Sequence, residues 1–319
     1  TITTNINLFG TPYTGVAANL VATTSYGAPA NIEDGLLWTD NTAGSQHLNG
    51  GGNTVKHLHA TNGLLKNVAE MRDLTLAEGL VDASGQTSLG GAGAFASTMA
   101  SGATFVNLVN ESVAVRGAGN TAGSGIYTGG IAGYGMGSTP VFVMCVNRAP
   151  VSNASIAGGI LGFNVASEAS FYLCANEGAI GIAGEGPTTV AGIGCAPSVN
   201  AEACYNTGSA TAGSNAAGLF FPGSSGTIVK NSYNTGAVTA PTSCQISPTF
   251  TGTDVFYNSG LTAGSGTGTA TPMAAVDMKV DAFMRTLDTP LATSATAAAG
   301  VNLKDYKWVR ADGTNGGVP

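Results

Sequence analysis

Charge is scarce in this chain. Of 319 residues, 11 are Lys or Arg and 18 are Asp or Glu, and the resulting 9% is about a third of the usual share. Eleven scattered cations under a net charge of −7 cannot neutralise a run of phosphates, so nucleic acid is not expected as a partner. Long apolar runs are missing as well. The most conspicuous, VFVMCV at 141–146, has the length of a strand and falls far short of the roughly 20 residues that cross a bilayer. The opening TITTNINLFG lacks the basic and apolar regions of a secretion signal, so export implies that such a segment has already been removed. The five cysteines, Cys145, Cys174, Cys195, Cys204 and Cys244, form no C-x-x-C pair and lie near no histidine at zinc-ligand spacing. They read as small buried apolar residues rather than metal ligands, and their odd number leaves at least one thiol free.

The histidines are His47, His57 and His59. His57 and His59 alternate, which places them on one strand face, but two imidazoles without a neighbouring carboxylate or thiol make a poor ligand set, and no metal is expected. G-G-x-G-x-D, a Walker loop, H-E-x-x-H and G-x-S-x-G are all absent, and no cofactor is expected.

What the chain has in quantity is glycine, 48 residues, within a background of Ala, Thr, Ser, Asn and Val. This composition favours strands and turns over helices. With 43% hydrophobic residues and a mean hydropathy of +0.20, it is far from that of a disordered chain. One phrase recurs: LVNESVAV, CVNRAPV, CANEGAI, CYNTGSA, SYNTGAV and FYNSGLT. Its asparagines, Asn110, Asn147, Asn176, Asn206, Asn234 and Asn258, stand 37, 29, 30, 28 and 24 residues apart, a period that signals stacked repeats. A second phrase, seen as GAGAFAS, GGIAGYG, GGILGFN, AGIGC and AGLFFPG, precedes the first at an almost constant distance. From Gly93, Gly130, Gly159, Gly192 and Gly218 to the next asparagine there are 17, 17, 17, 14 and 16 residues.

Each repeat contains apolar stretches of four to eight residues bounded by Gly, Ser, Asn or Pro, too short to bury their own apolar side. The expected fold is all-β, a parallel β-solenoid of coils about 24–37 residues long, in which the inward side chains of successive coils form one core. Coils about 4.8 Å apart place the six asparagines in one file, where each amide can donate to the next. Gly178, Gly208, Gly236 and Gly260, two residues further on, are expected to take positive φ at a corner turn, while Ser112 and Ala149 mark corners of different shape. Cys145, Cys174 and Cys204 form a column on one face with Leu108, Ser232 and Phe256.

Three segments follow from this: residues 1–47 as an N-terminal β cap or assembly segment, 48–262 as the solenoid, and 263–319 as a linker, a capping helix and a closing strand and turn. Thr271 and Pro272 give an N-cap and a first-turn proline. Met273, Val276, Val280, Phe283, Met284 and Leu287 then recur at helical spacing up to Pro290, which predicts a helix over 272–289 lying as a lid on the last coil. The link GLTAGSGTGTAT at 260–271 reads as flexible.

The GGIAGYG and CYNTG phrases, together with NGGGNTVKHL, NGLLKNV and MRDLTL upstream and W-x-x-x-D-G-T-N-G-G-V-P at 308–319, make the chain similar to the GLUG-repeat family of secreted and surface-attached bacterial proteins. The resemblance implies an exported, repetitive β-solenoid, in some cases adhesin-like, and brings no active site. The expected function is a non-enzymatic extracellular scaffold or adhesin. Its partners are a second copy of itself, joined through the strand-prone stretch Thr1 to Gly10, or a cell-surface or polysaccharide ligand. The alternative is a carbohydrate-active β-helix enzyme, for which Glu177 with Glu202 is the nearest carboxylate pairing by register. Ice binding is the least favoured class, because Glu177 and Ser259 interrupt the Thr207 and Thr235 column.

Overall fold

The computed structural model describes residues 6–7, 22–25, 36–38, 45–86, 90–118, 125–135, 139–152, 155–165, 168–181, 188–222, 226–262, 264 and 266–309. The chain is mostly β, with one α-helix among the described residues. The recurring phrases form short strands because β-branched and aromatic residues alternate between an inner and an outer face. These strands do not pair as hairpins. Each lies parallel to its equivalent one repeat away: Gln46–Lys56 on Leu65–Ala77, and that strand on Ala96–Asn110. Val141–Val143 lies between Ala96–Asn110 and Glu168–Tyr172, which in turn pairs with Ser198–Glu202. Antiparallel pairing among the described residues is confined to the two ends, Ala22–Ser25 with Leu36–Trp38 and Ala297–Ala298 with Val301–Asn302.

Parallel register puts like on like. Phe105, Phe142 and Phe171 stack inside at ring spacings of 4.8 and 5.1 Å and within 9° of parallel. Val81, Val115, Val151, Ile180, Ala210 and Val238 form a second inner file. Within these strands or in the short breaks between them, Asp73, Asn107, Met144, Leu173, Ala203, Asn231 and Asp254 form a file of left-handed residues with φ of 46–57°. One such residue redirects an extended chain sharply, and non-glycine residues occupy this region at a cost of about 1–2 kcal/mol each, so the positive-φ corners lie before the phrase rather than after it. Gly178, Gly208, Gly236 and Gly260 do not have the expected positive φ. Glycine is needed at Gly208 and Gly236 for closeness instead: a Cβ there would sit 2.0 and 1.9 Å from the carbonyl oxygen of the glycine one repeat below. Gly260 has no such neighbour.

The cysteine column is present at Cys145, Cys174 and Cys204, all buried and free, but Val255 and not Phe256 continues it beyond Ser232. Burial pushes the Cys145 and Cys204 thiols well above their usual pKa.

The C-terminal region departs most from expectation. Thr271–Met273 is a strand, parallel to Phe256–Asn258, where a proline is tolerated because an edge strand need not donate on its outer side. The helix runs Asp281–Ala292 with Pro290 inside its last turn. Its buried stripe is Phe283, Leu287 and Leu291, at i, i+4 and i+8, whereas Val276 and Val280 are exposed. Phe283 meets Tyr233 and Phe256 edge-on, with ring centroids 5.7 and 5.2 Å apart. Leu291 joins Val106, Val143, Tyr172 and Ala203, residues of four successive repeats. The helix is therefore a strap along the outer flank and not a lid over the last repeat. Described residues of the 260–271 link do pack on the repeat below: the Gln245 N–H donates to the Gly264 carbonyl at 2.6 Å and the Thr267 N–H to that of Pro248 at 2.9 Å.

At the N-terminal end, Ile6–Asn7 pairs in parallel with Val55 and Lys56 of its own chain, and the rest of the Thr1 to Gly10 stretch lies outside the described residues, as does most of the cap segment 1–47. The closing motif beyond 309 lies outside them too.

The strap predicts a mutational contrast. Leu287→Ala should lower unfolding free energy by about 3 kcal/mol, the usual loss for a buried leucine. Val276→Ala and Val280→Ala should stay within about 0.5 kcal/mol. Urea unfolding followed by circular dichroism separates the strap from a helix that buries Val276.

Candidate functional site

Two arrangements organise the polar chemistry of the molecule: a buried file of amides and a cleft under the strap. In the file, Asn110, Asn147, Asn176, Asn206 and Asn234 are all completely buried and lie in parallel register. Each Nδ2 donates to the next Oδ1 at 2.9, 2.8, 2.7 and 2.7 Å in turn. The second N–H of Asn147, Asn176, Asn206 and Asn234 donates to the carbonyl two residues on, at 2.8 to 3.0 Å. Asn110 instead bonds the Val113 carbonyl three residues on. Its corner is one residue longer: Val115 pairs with Val151 while Asn110 pairs with Asn147. The Ala149 corner has the ordinary shape.

The almost constant distance between the two phrases has its cause here. A Cβ on Gly130, Gly159 or Gly192 would lie 2.3, 2.4 or 2.5 Å from the Cγ of the asparagine in its own repeat, Asn147, Asn176 or Asn206. Asn147, Asn176 and Asn206 thus each require a glycine facing them, whereas in the first repeat Gly93 pairs with Gly129 and Ala94 stands at the position of Gly130. The last repeat breaks this rule. Gln245 occupies the glycine position, stacked above Gly218, and its Oε1 accepts from Asn234 Nδ2. Asn258 is not in the file: Asn234 pairs with Tyr257, and Asn258 is half-exposed and folds its Oδ1 onto the Gly260 N–H. Glutamine carries the same amide on a side chain one methylene longer, so it fills the space a glycine leaves and ends the ladder from the opposite wall. Sequence reasoning missed Gln245, although CQISP replacing a Gly-Gly or Ala-Gly phrase was the available signal.

On the surface, Arg148 bridges Glu111 at 2.7 Å and Glu177 at 3.0 Å, and Glu177 also accepts from the Tyr205 hydroxyl at 2.7 Å. Glu202 is far from this group in register, pairing with Tyr172 and Lys230, and accepts from Thr296 Oγ1 at 2.7 Å. The structure does not bring Glu177 and Glu202 together. His57 and His59 do not share a face either. His57 has φ 57° and reaches Glu78 at 3.2 Å, whereas His59 is buried, and burial holds its pKa below the usual imidazole value against the pull of Asp82. Among the described residues no group of three metal-ligating side chains converges.

The cleft lies between the outer flank of the last three repeats and the end of the strap, with a volume of about 430 Å³. Glu202, Lys230, Asn231 and Asp254 line one wall, and Pro290 and Thr293 to Thr296 the other. Its position follows from the fold: Asn231 and Asp254 are left-handed corner residues, and the strap turns back at Ala299 and Gly300, with φ 51° and 84°, into a short hairpin.

Compared with family models, with curated proteins and with solved structures, the chain matched none.

Replacing one rung tests the ladder. Asn176→Leu removes the acceptor of Asn147 and the donor to Asn206 and to the Gly178 carbonyl, and should cost about 3 kcal/mol. Asn258→Leu should change stability by less than about 0.5 kcal/mol. Equal effects of the two substitutions in chemical denaturation would contradict the assignment of Gln245 as the end of the file.

Proposed function

We propose that the stacked repeats form a parallel β-solenoid and that the chain is a non-enzymatic extracellular scaffold or adhesin related to the GLUG-repeat proteins. The observation that carries the reading is the buried amide file running without interruption from Asn110 to Gln245. A ladder of this kind holds each repeat at one spacing and makes the stack a stiff support. Register favours an open stack over a closed barrel, because strands pair with their equivalents one repeat on either side. A solenoid's stability is nearly a sum over neighbouring repeats, and its outward side chains form long files suited to presenting a repetitive face to a cell surface or polysaccharide.

The two carboxylates that the sequence paired also favour a structural role. Glu177 is held by Arg148 and Tyr205, and Glu202 by Thr296. A carbohydrate-active enzyme is the second reading, favoured by the cleft, where Glu202 and Asp254 line the same wall. Export and surface attachment belong to the same proposal.

Two measurements test it. Deleting residues 177–206 joins Asn176 to Thr207 and removes one whole repeat. The product should still unfold cooperatively, with a lower midpoint, whereas a closed barrel missing its strands should not fold. Incubation of the full chain with insoluble polysaccharides should give saturable retention without release of reducing ends. Release of reducing ends would replace the adhesin by the enzyme.

A further inference from the structure

The geometry points to the cleft under the strap as a binding site for a single saccharide unit, an inference that rests on the adhesive reading above and gives it a location. Its centre is Asn231. The residue is 1% exposed, and neither its Nδ2 nor its Oδ1 has a hydrogen-bond partner. An unpaired buried polar group costs about 1–3 kcal/mol, and here two such groups sit on one side chain in the wall of a cleft of about 430 Å³, within the size range of small-molecule sites. The other left-handed positions of the same file do not share this condition. Asn107 donates to Asp73 at 2.9 Å, and Met144 and Leu173 pack against the apolar cluster beneath the strap. The backbone at Asn231 explains its left-handed conformation; it does not explain an amide with both ends empty.

The chemistry of the surroundings selects the ligand class. A carboxamide presents one acceptor and two donors side by side. Adjacent hydroxyls of a sugar, each both donor and acceptor, match that pattern. Lys230 and Asp254, both exposed, line the same wall as Glu202; two carboxylates disfavour an anion and the Lys230 ammonium disfavours a cation, so a neutral polar ligand fits better than either. Across the cleft, Thr296 anchors Glu202 and Thr293 offers a further hydroxyl. The site lies outside the stack, on the flank where a chain of sugars can pass.

The test uses the full chain with glucose, galactose, mannose and N-acetylglucosamine as probes, followed by saturation-transfer NMR and calorimetry. At least one should bind saturably in the millimolar range. Asn231→Gly keeps the left-handed backbone and should weaken that binding at least tenfold while the unfolding midpoint holds or rises. Lys230→Ala, at an exposed position, should weaken it several-fold and serves where Asn231→Gly fails to fold. Failure of all four sugars to bind, or binding that both variants leave unchanged, overturns the site; in the first case water is the occupant. Retention on insoluble polysaccharide is measured in parallel. Retention that persists in Asn231→Gly removes this site but leaves the adhesive reading, whereas absence of retention in the unaltered chain removes both.

Discussion

A buried primary amide needs partners for two donors and an acceptor, and the stack depends on meeting that need five times over. Each asparagine is closed off from water, so an unmatched N–H has no alternative partner. The solution satisfies one N–H within the repeat, through the carbonyl two residues on, and the other between repeats, through the next amide. The first bond fixes the shape of the corner. The second fixes the distance between repeats, since a file of amides at 2.7–2.9 Å tolerates little variation in rise. Chain length in the loops is free to vary because the loops do not enter the file, and intervals from 28 to 37 residues coexist with constant amide geometry.

The same amide explains why glycine is so abundant on the opposite wall. A side chain at Gly159 would overlap Asn176, and one at Gly208 would overlap the carbonyl below it. Steric closeness, rather than freedom of φ, selects glycine at both. This distinction accounts for much of what the sequence did and did not reveal. The repeat, its period, the asparagine file and the locked pair of phrases are visible as recurrences of residue type, because parallel stacking copies one environment into each repeat. The corner conformation is not visible, because the left-handed file is filled by Asp, Asn, Met, Leu and Ala, whose only common property is their position. No periodic signal exists where the backbone alone is repeated.

The last repeat departs from its spelling for a related reason. FYNSG matches the recurring phrase by spelling, yet Asn234 stands opposite Tyr257, and the frame is displaced by one residue. With Gln245 already reaching Asn234 from the other wall, a sixth inward asparagine has neither a partner nor space. The displacement moves Phe256 to the outer face, where it meets Phe283 of the strap. Helical periodicity in 272–289 was likewise real but offset. Phe283 and Leu287 belong to the buried stripe, while Met273 is drawn into a strand by parallel pairing and Val276 and Val280 remain outside. Tertiary pairing overrode local propensity at the point where one more strand could still be added to the stack.

The strap has a consequence for where chemistry can occur. A stack of near-identical repeats presents near-identical surfaces, and a surface that repeats every 4.8 Å or so has no unique place for a small ligand. Symmetry is broken where a non-repeating segment crosses it. The strap crosses four repeats with Leu291 and reaches Glu202 with Thr296, and beside these contacts the corner residue Asn231 is buried with its amide unpaired. Uniqueness at that point comes from the crossing, not from the repeat. This is why the asparagine file, for all its regularity, offers no unique place to a ligand, and why the proposed site lies where the strap crosses the repeats.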